Sequence, residues 1–271
     1  MLDDYSAMNS RFNSTSQALE TVDVMDVPLY ARDIPGAVKK IREVLAVRAP
    51  RCPRCISATG AHGLVFAQKD ATFHRTLQGF YLNLPDGKPS VWVGRLKGAK
   101  GMQRCYGPDF FAALMRATAT DESTRHFLCG GQTGVAEKLQ AVCGTRFGNH
   151  QVVGHHCPPF RPLTPKEFQQ LGAEIDQCDA NIVWIGISTP KQELFAAELV
   201  KYTKAVFIIA VGAAFDFHTD RVRQAPGWMQ QAGLEWSFRL LMEPKRLFRR
   251  YLEIVPAFIF YNLRDLLLSR R

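Results

Sequence analysis

Asn181-Ile182-Val183-Trp184-Ile185-Gly186-Ile187, followed at once by Ser188-Thr189-Pro190, is the stretch on which the architecture turns. It is a short, continuous apolar run, rich in β-branched residues and without polar alternation. Such a run reads as a strand buried on both faces, and strands of that kind belong to parallel sheets covered by helices. Thr189, Pro190 and Gln192 then suit the N-cap, first and third positions of a helix with a capping box, reaching about Val200. The alternation repeats to either side. Downstream, Ala205 to Val211 is another apolar strand, ending in Gly212-Ala213-Ala214-Phe215-Asp216-Phe217. Upstream, His126 to Cys129 leads through Gly130-Gly131-Gln132-Thr133-Gly134 into a helix from Val135 to Val142. Earlier still come a strand at Cys55 to Ala58, a helix around Leu64 to Phe80 and a strand at Tyr81 to Leu84. The expected fold class is α/β: a mainly parallel, Rossmann-like sheet with helices on both faces.

In such sheets ligands bind beyond the carboxyl ends of the strands, so chemistry is expected just after each strand. Pro85-Asp86-Gly87 between apolar runs is a turn signal, yet a carboxylate at an inner strand end is also where a general base would be held rigidly. The loop from Gly130 to Gly134 can turn N–H groups toward a phosphate, or serve only as a tight strand-to-helix connection. It matches neither GxGxxG nor a Walker A loop. Lys191 and Gln192 begin a helix on the same edge, where donors could meet a sugar or phosphate, although a capping Gln192 would satisfy only the backbone.

A chain of 271 residues, 46% hydrophobic and 22% charged, holds one large domain or one domain with a modest appendage, and is not a disordered chain. Met1 to Glu20 is polar, without the apolar core of a secretory signal, and no apolar run approaches the ~20 residues of a spanning helix. The expected location is the cytoplasm, peripheral on the inner face of the membrane. Seven scattered cysteines do not suggest a secreted disulfide framework. Cys52-Pro53-Arg54-Cys55 has CxxC spacing, but no second pair follows, and His155, His156 and Cys157 could complete a zinc site only at long range; free thiols are the favoured reading.

The net charge of +9 is uneven: Arg239 to Arg271 carries seven arginines and one lysine against Glu243, Glu253 and Asp265. Such asymmetry points to a polyanionic partner. Leu234 to Met242 reads as a helix, Pro244 opens another, and Pro256 is expected to interrupt it. Basic residues among Phe248, Tyr251 and Leu252 describe a segment lying on an anionic bilayer rather than crossing it. The chain therefore divides into a polar, flexible segment at 1–22, an α/β catalytic domain at 23–232 and a helical basic C-terminal appendage at 233–271.

Several blocks occur in order: Pro85-Asp86-Gly87, Arg104 to Asp109, Gly130-Gly131, Val153-Gly154, Gly186 to Glu193 and Val211 to Phe217. Ala225-Pro226, Gly233 to Trp236 with Arg239, Glu243-Pro244, Arg246 and Arg249-Arg250-Tyr251 complete the series. Over about residues 23 to 255 the chain resembles the WecG/TagA/CpsF glycosyltransferase family. The resemblance implies inverting, metal-independent transfer from a UDP-sugar (N-acetylmannosamine, its uronic acid or a hexose) to a polyprenyl-diphosphate-linked acceptor. The setting it implies is bacterial cell-surface or exopolysaccharide synthesis at an anionic membrane, engaged through residues 234–271. It implies no cofactor, metal or nucleic-acid partner, and leaves a homo-oligomer open.

By the same resemblance Asp86 is the general base. Thr59, His62, Arg104, Gly130, Gly131, Gln192, Gly212 and Asp216 stand near the donor nucleotide, and Arg239, Arg246 and Arg249 close over the diphosphate. One departure is visible. Members of the family carry a T-x-N segment after the first inner strand, whereas Ser57-Ala58-Thr59-Gly60-Ala61-His62 has no Asn, which makes His62 a candidate replacement and leaves the donor open. Pro89 and Trp92 point toward an exopolysaccharide-type branch. Two other readings compete. A Rossmann-like oxidoreductase would need GxGxxG with a distal acid, and a non-enzymatic membrane- or nucleotide-binding module would leave the loop motifs without a use.

Overall fold

The computed structural model describes residues 20–47 and 53–268. The first half of the chain forms β1 (Thr21–Val24), β2 (Val27–Tyr30), α1 (Ile34–Ala46), β3 (Arg54–Thr59), α2 (Ala61–Ala67), α3 (Ala71–Gln78), β4 (Leu82–Pro85), α4 (Lys88–Leu96) and α5 (Gly107–Ala117). The second half forms β5 (His126–Gly130), α6 (Val135–Phe147), β6 (Val152–His156), α7 (Pro165–Gln177), β7 (Ile182–Gly186), α8 (Lys191–Leu199), β8 (Phe207–Ala210) and α9 (Ala214–His218). Three further helices follow: α10 (Gly227–Gln231), α11 (Glu235–Met242) and α12 (Pro244–Leu268). The strands make one eight-stranded sheet, β1-β2-β4-β3-β8-β7-β5-β6, parallel except for the antiparallel edge strand β1. The α/β fold is the one expected.

β7 shows why its sequence is apolar throughout. Ile182 and Trp184 enter one core, while Val183 and Ile185 enter the other on the opposite face. Its neighbours divide the same way, with Phe207 and Ile209 opposed to Ile208, and Leu128 opposed to Phe127 and Cys129. Successive side chains of a strand point to opposite faces, so two covered faces require an unbroken apolar run. Trp184 is fully buried with its ring 4.6 Å from that of Phe111, and its indole N–H donates to His126 Nδ1 at 3.1 Å. Burial pushes the His126 pKa down to about 3, so the ring is neutral and free to accept that bond.

Four expectations need correction. Leu64 to Phe80 is two helices, because the Asp70 side chain accepts from the Phe73 N–H at 2.8 Å and caps a new start. Thr21 and Val22, assigned to the flexible segment, lie in β1; the rest of that segment, up to residue 19, is outside the described residues, as is Cys52. Thr189 does not cap the helix after β7: α8 begins at Lys191 with Pro190 at the N-cap and no side-chain cap bond. Finally, Pro256 does not interrupt α12, which runs unbroken to Leu268. Pro256 and Leu252, whose carbonyl loses its partner, both lie on the exposed side, where that carbonyl is not trapped in the core.

α12 is two-faced. Leu247, Ile254, Phe258 and Asn262 are buried, and Asn262 Nδ2 donates to the Phe258 carbonyl at 2.7 Å. An ion pair from Lys97 to Asp265 fastens its far end to the sheet domain. The opposite side exposes Phe248, Leu252, Val255, Ile259, Leu263 and Leu267 at helical spacing. No helix among the described residues is long and apolar enough to cross a membrane.

Candidate active site

The carboxyl ends of β4, β3, β8, β7 and β5 lie side by side, and at ~4.8 Å per strand they form an edge about 19 Å long. Asp86 stands at one end of it, directly after β4, with its N–H donating to the Thr59 carbonyl at 3.2 Å. Its Oδ1 accepts from the Gly107 N–H at 2.8 Å, supplying the side-chain cap that Tyr106 does not give α5. Glycine is required at 107 by packing, since a Cβ there would come within 2.7 Å of the Val211 carbonyl oxygen. Oδ2 of Asp86 has no donor among the described residues. Burial pushes the Asp86 carboxyl above the usual carboxylate range, while Arg104, the Gly107 N–H and Arg239 pull in the opposite direction.

Arg104 holds Asp86 from behind. Its Nε donates to the Asp86 carbonyl at 2.8 Å and its guanidinium lies 4.0 Å from the Tyr106 ring centre. Its outer nitrogen forms an ion pair with Glu235 of α11, with the two side chains only 10% and 19% exposed. Burial pushes Glu235 upward, opposed by Arg104. One turn beyond Glu235, Arg239 reaches the same place, 6.0 Å from the Phe217 ring centre, with its Nε buried and without an acceptor. Glu235 was not singled out from sequence. It lies inside the Gly233 to Trp236 block, and its i, i+4 spacing from Arg239 puts both on one helix face.

Residues 22–271 match the family model described as the Glycosyl transferase WecG/TagA/CpsF family. The chain belongs to this glycosyltransferase family.

In this glycosyltransferase the side chains of Gln192 and Glu193 are both buried, and the Gln192 side chain donates to Thr189 Oγ1 at 3.2 Å and accepts from the distant Gly212 instead of forming the capping box. Gln192 Oε1 accepts from the Gly212 N–H at 2.9 Å, and its Nε2 donates to Glu193 Oε1 at 2.9 Å. Ser57 and Thr189 donate to the same Glu193 oxygen at 3.0 and 2.9 Å, while Oε2 is buried without a partner. These two residues brace the ends of β3, β7 and β8. Glu193 closes the Gly186 to Glu193 block in the sequence but was given no role there.

The glycines serve the sheet first. Gly131 N–H donates to the Gly186 carbonyl at 2.9 Å, and Gly130, at φ 135°, lies so close to Gly186 that a Cβ would meet its backbone at 2.7 Å. Asp216 pairs with Arg221 at 3.5 Å, and Arg221 also donates to Gln132 Oε1 at 2.5 Å, which joins Asp216 to the glycine loop. Thr59 is buried beneath the edge, its Oγ1 3.5 Å from Asn83 Oδ1.

His62 faces α12 instead, lining a cavity of about 220 Å³ with Val65, Phe66, Arg250 and Ile254; burial, with a smaller effect of Arg250, pushes its pKa down to about 4. Arg249 is on the exposed side of α12, and the side chain of Arg246 is outside the described residues. The structure thus gathers Asp86, Arg104 and Arg239 at one end, and sets Gly130, Gly131 and Asp216 at the other, with Gln192 and Gly212 between. Among the described residues no group of three His, Cys, Asp or Glu side chains is arranged to hold a metal.

Proposed function

We propose that this glycosyltransferase inverts the anomeric centre of a UDP-sugar, with Asp86 as general base and a polyprenyl-diphosphate-linked sugar as acceptor. The donor sugar is N-acetylmannosamine, its uronic acid or a hexose. One observation carries the reading: Asp86 is fixed through Oδ1, has Oδ2 open, and is flanked by two arginines. In the step, the acceptor hydroxyl gives its proton to Oδ2 while its oxygen bonds the anomeric carbon. The bond from that carbon to the β-phosphate oxygen breaks, and its electron pair leaves with UDP. Fixed cations and N–H groups can stabilise that departing charge without a metal, and Arg104 and Arg239, both beside Asp86, are assigned that part. Residues 234–271 form the membrane-engaging, site-closing appendage, a reading supported by the apolar outer side of α12 and its basic first turns.

Asp86→Asn should lower kcat by about 10²–10⁴, with the melting temperature and UDP binding preserved. Unimpaired transfer would remove Asp86 from the chemistry. Activity should persist in EDTA; strict dependence on Mg²⁺ would count against the metal-free step. A panel of UDP-sugars scored by UDP release identifies the donor.

A further inference from the structure

Next to the Asp86 end of the edge lies a cleft of about 300 Å³ that shares only Arg104 with the step above. Lys88, Arg95 and Arg104 line it with Gln103, Gln230 and a single carboxylate, Asp109. Lys88 makes no hydrogen bond or ion pair among the described residues. Arg95 is aimed by one bond, from its Nε to the Met102 carbonyl at 2.8 Å, which leaves its two terminal nitrogens available. Arg104 already shows what such a cation takes there, since its outer nitrogen holds the Glu235 carboxylate. A concave site with two cations lacking a counter-charge, and amides between them, suits a group with several anionic oxygens.

The rim adds a second requirement. Lys88, Trp92 and Arg95 fall at i, i+4 and i+7 of α4, hence on one side of it. Trp92 is 52% exposed, Leu96 74% and Trp228, beside the lining residue Gly227, 65%. Large apolar side chains left in solvent around a cationic cleft match an amphiphile, with an anionic head and a hydrocarbon tail. The cleft also opens two residues after Asp86, whereas the glycine loop lies at the far end of the edge.

We propose that this cleft binds the diphosphate of a lipid-linked acceptor, with Lys88 and Arg95 on the phosphates and the apolar chain leaving over Trp92 and Trp228. The assignment rests on the acceptor class proposed above and adds where on this chain it is held. A nucleotide diphosphate shares the head-group chemistry, and separating the two is the purpose of the test.

Isothermal titration of the full-length protein with farnesyl diphosphate, inorganic diphosphate and UDP reads the site without sugar transfer. Lys88→Gln should weaken farnesyl diphosphate and inorganic diphosphate about tenfold, the loss of one charge-assisted contact, and leave UDP unchanged. Trp228→Ala should weaken farnesyl diphosphate alone. Lys88 decides the matter because it has no internal bond to lose, whereas Arg95→Gln also frees the Met102 carbonyl. Farnesyl diphosphate binding that is absent in the wild type, or untouched by Lys88→Gln, overturns the proposal. So does a Lys88→Gln effect on UDP instead, which would give the cleft to the nucleotide. In each case the transfer assay with a polyprenyl-diphosphate-sugar judges the acceptor class separately.

Discussion

Asp86 can take a proton only when ionised, and burial holds its carboxyl above the ordinary range. The acid limb of kcat/KM should therefore lie above that of an exposed carboxylate, with activity rising as pH increases through it. Arg239 pulls the Asp86 value down, so Arg239→Gln should move the limb to still higher pH; a limb that stays in place or moves down would take Arg239 out of Asp86's surroundings. Glu193 makes a claim about stability instead. Burial raises its pKa in the folded protein, so its contribution is fully present below the unfolded value and is lost as pH rises through the folded one. Glu193→Gln resembles the protonated form, and its melting temperature relative to the wild type should climb as pH rises above the ordinary glutamate range. A constant gap over that rise in pH would sink the idea.

On the proposed reading, α12 and its neighbours are the part of the protein that meets a membrane. Ile259→Glu with Leu263→Glu changes two exposed side chains and no buried one, so the fold should hold while flotation with anionic vesicles is lost. Flotation at wild-type level would show that this side of the helix faces something else. At this scale the legibility of the sequence is uneven, for physical reasons. The β-branched run around Trp184 could be read as a doubly covered strand because burial on both faces leaves no polar position. The β1–β2 hairpin was hidden: Met25 and Asp26 turn the chain at φ 55° and 58° without the glycine that usually marks such a turn. Gln68 supports that turn from outside, donating to the Met25 carbonyl at 2.7 Å. Pro256 misled because proline's cost depends on which side of a helix bears it. Asp86 was legible as a strand-end carboxylate, but Glu235 was not, since its partner lies 131 positions earlier and only the fold joins them.

Over the whole molecule, the excess of +9 and the apolar side of α12 should act together on an anionic surface. Raising salt from about 0.1 to 1 M shortens the Debye length from about 10 to 3 Å and should weaken vesicle binding without abolishing it, because the apolar part is unscreened. Complete loss in high salt would leave α12 no apolar role. In the Ile259→Glu, Leu263→Glu protein, any residual binding should vanish under the same salt.

The contact between Arg104 and Glu235 gives these two ends of the protein a common free energy. Glu235 belongs to the helix that leads into α12, and Arg104 belongs to the segment that steadies Asp86. Any substrate that draws Arg104 away from Glu235 alters how the appendage is held and, on the membrane role proposed for it, how it would meet a bilayer. Linkage then requires reciprocity: the factor by which a membrane changes that substrate's affinity equals the factor by which the substrate changes the membrane's.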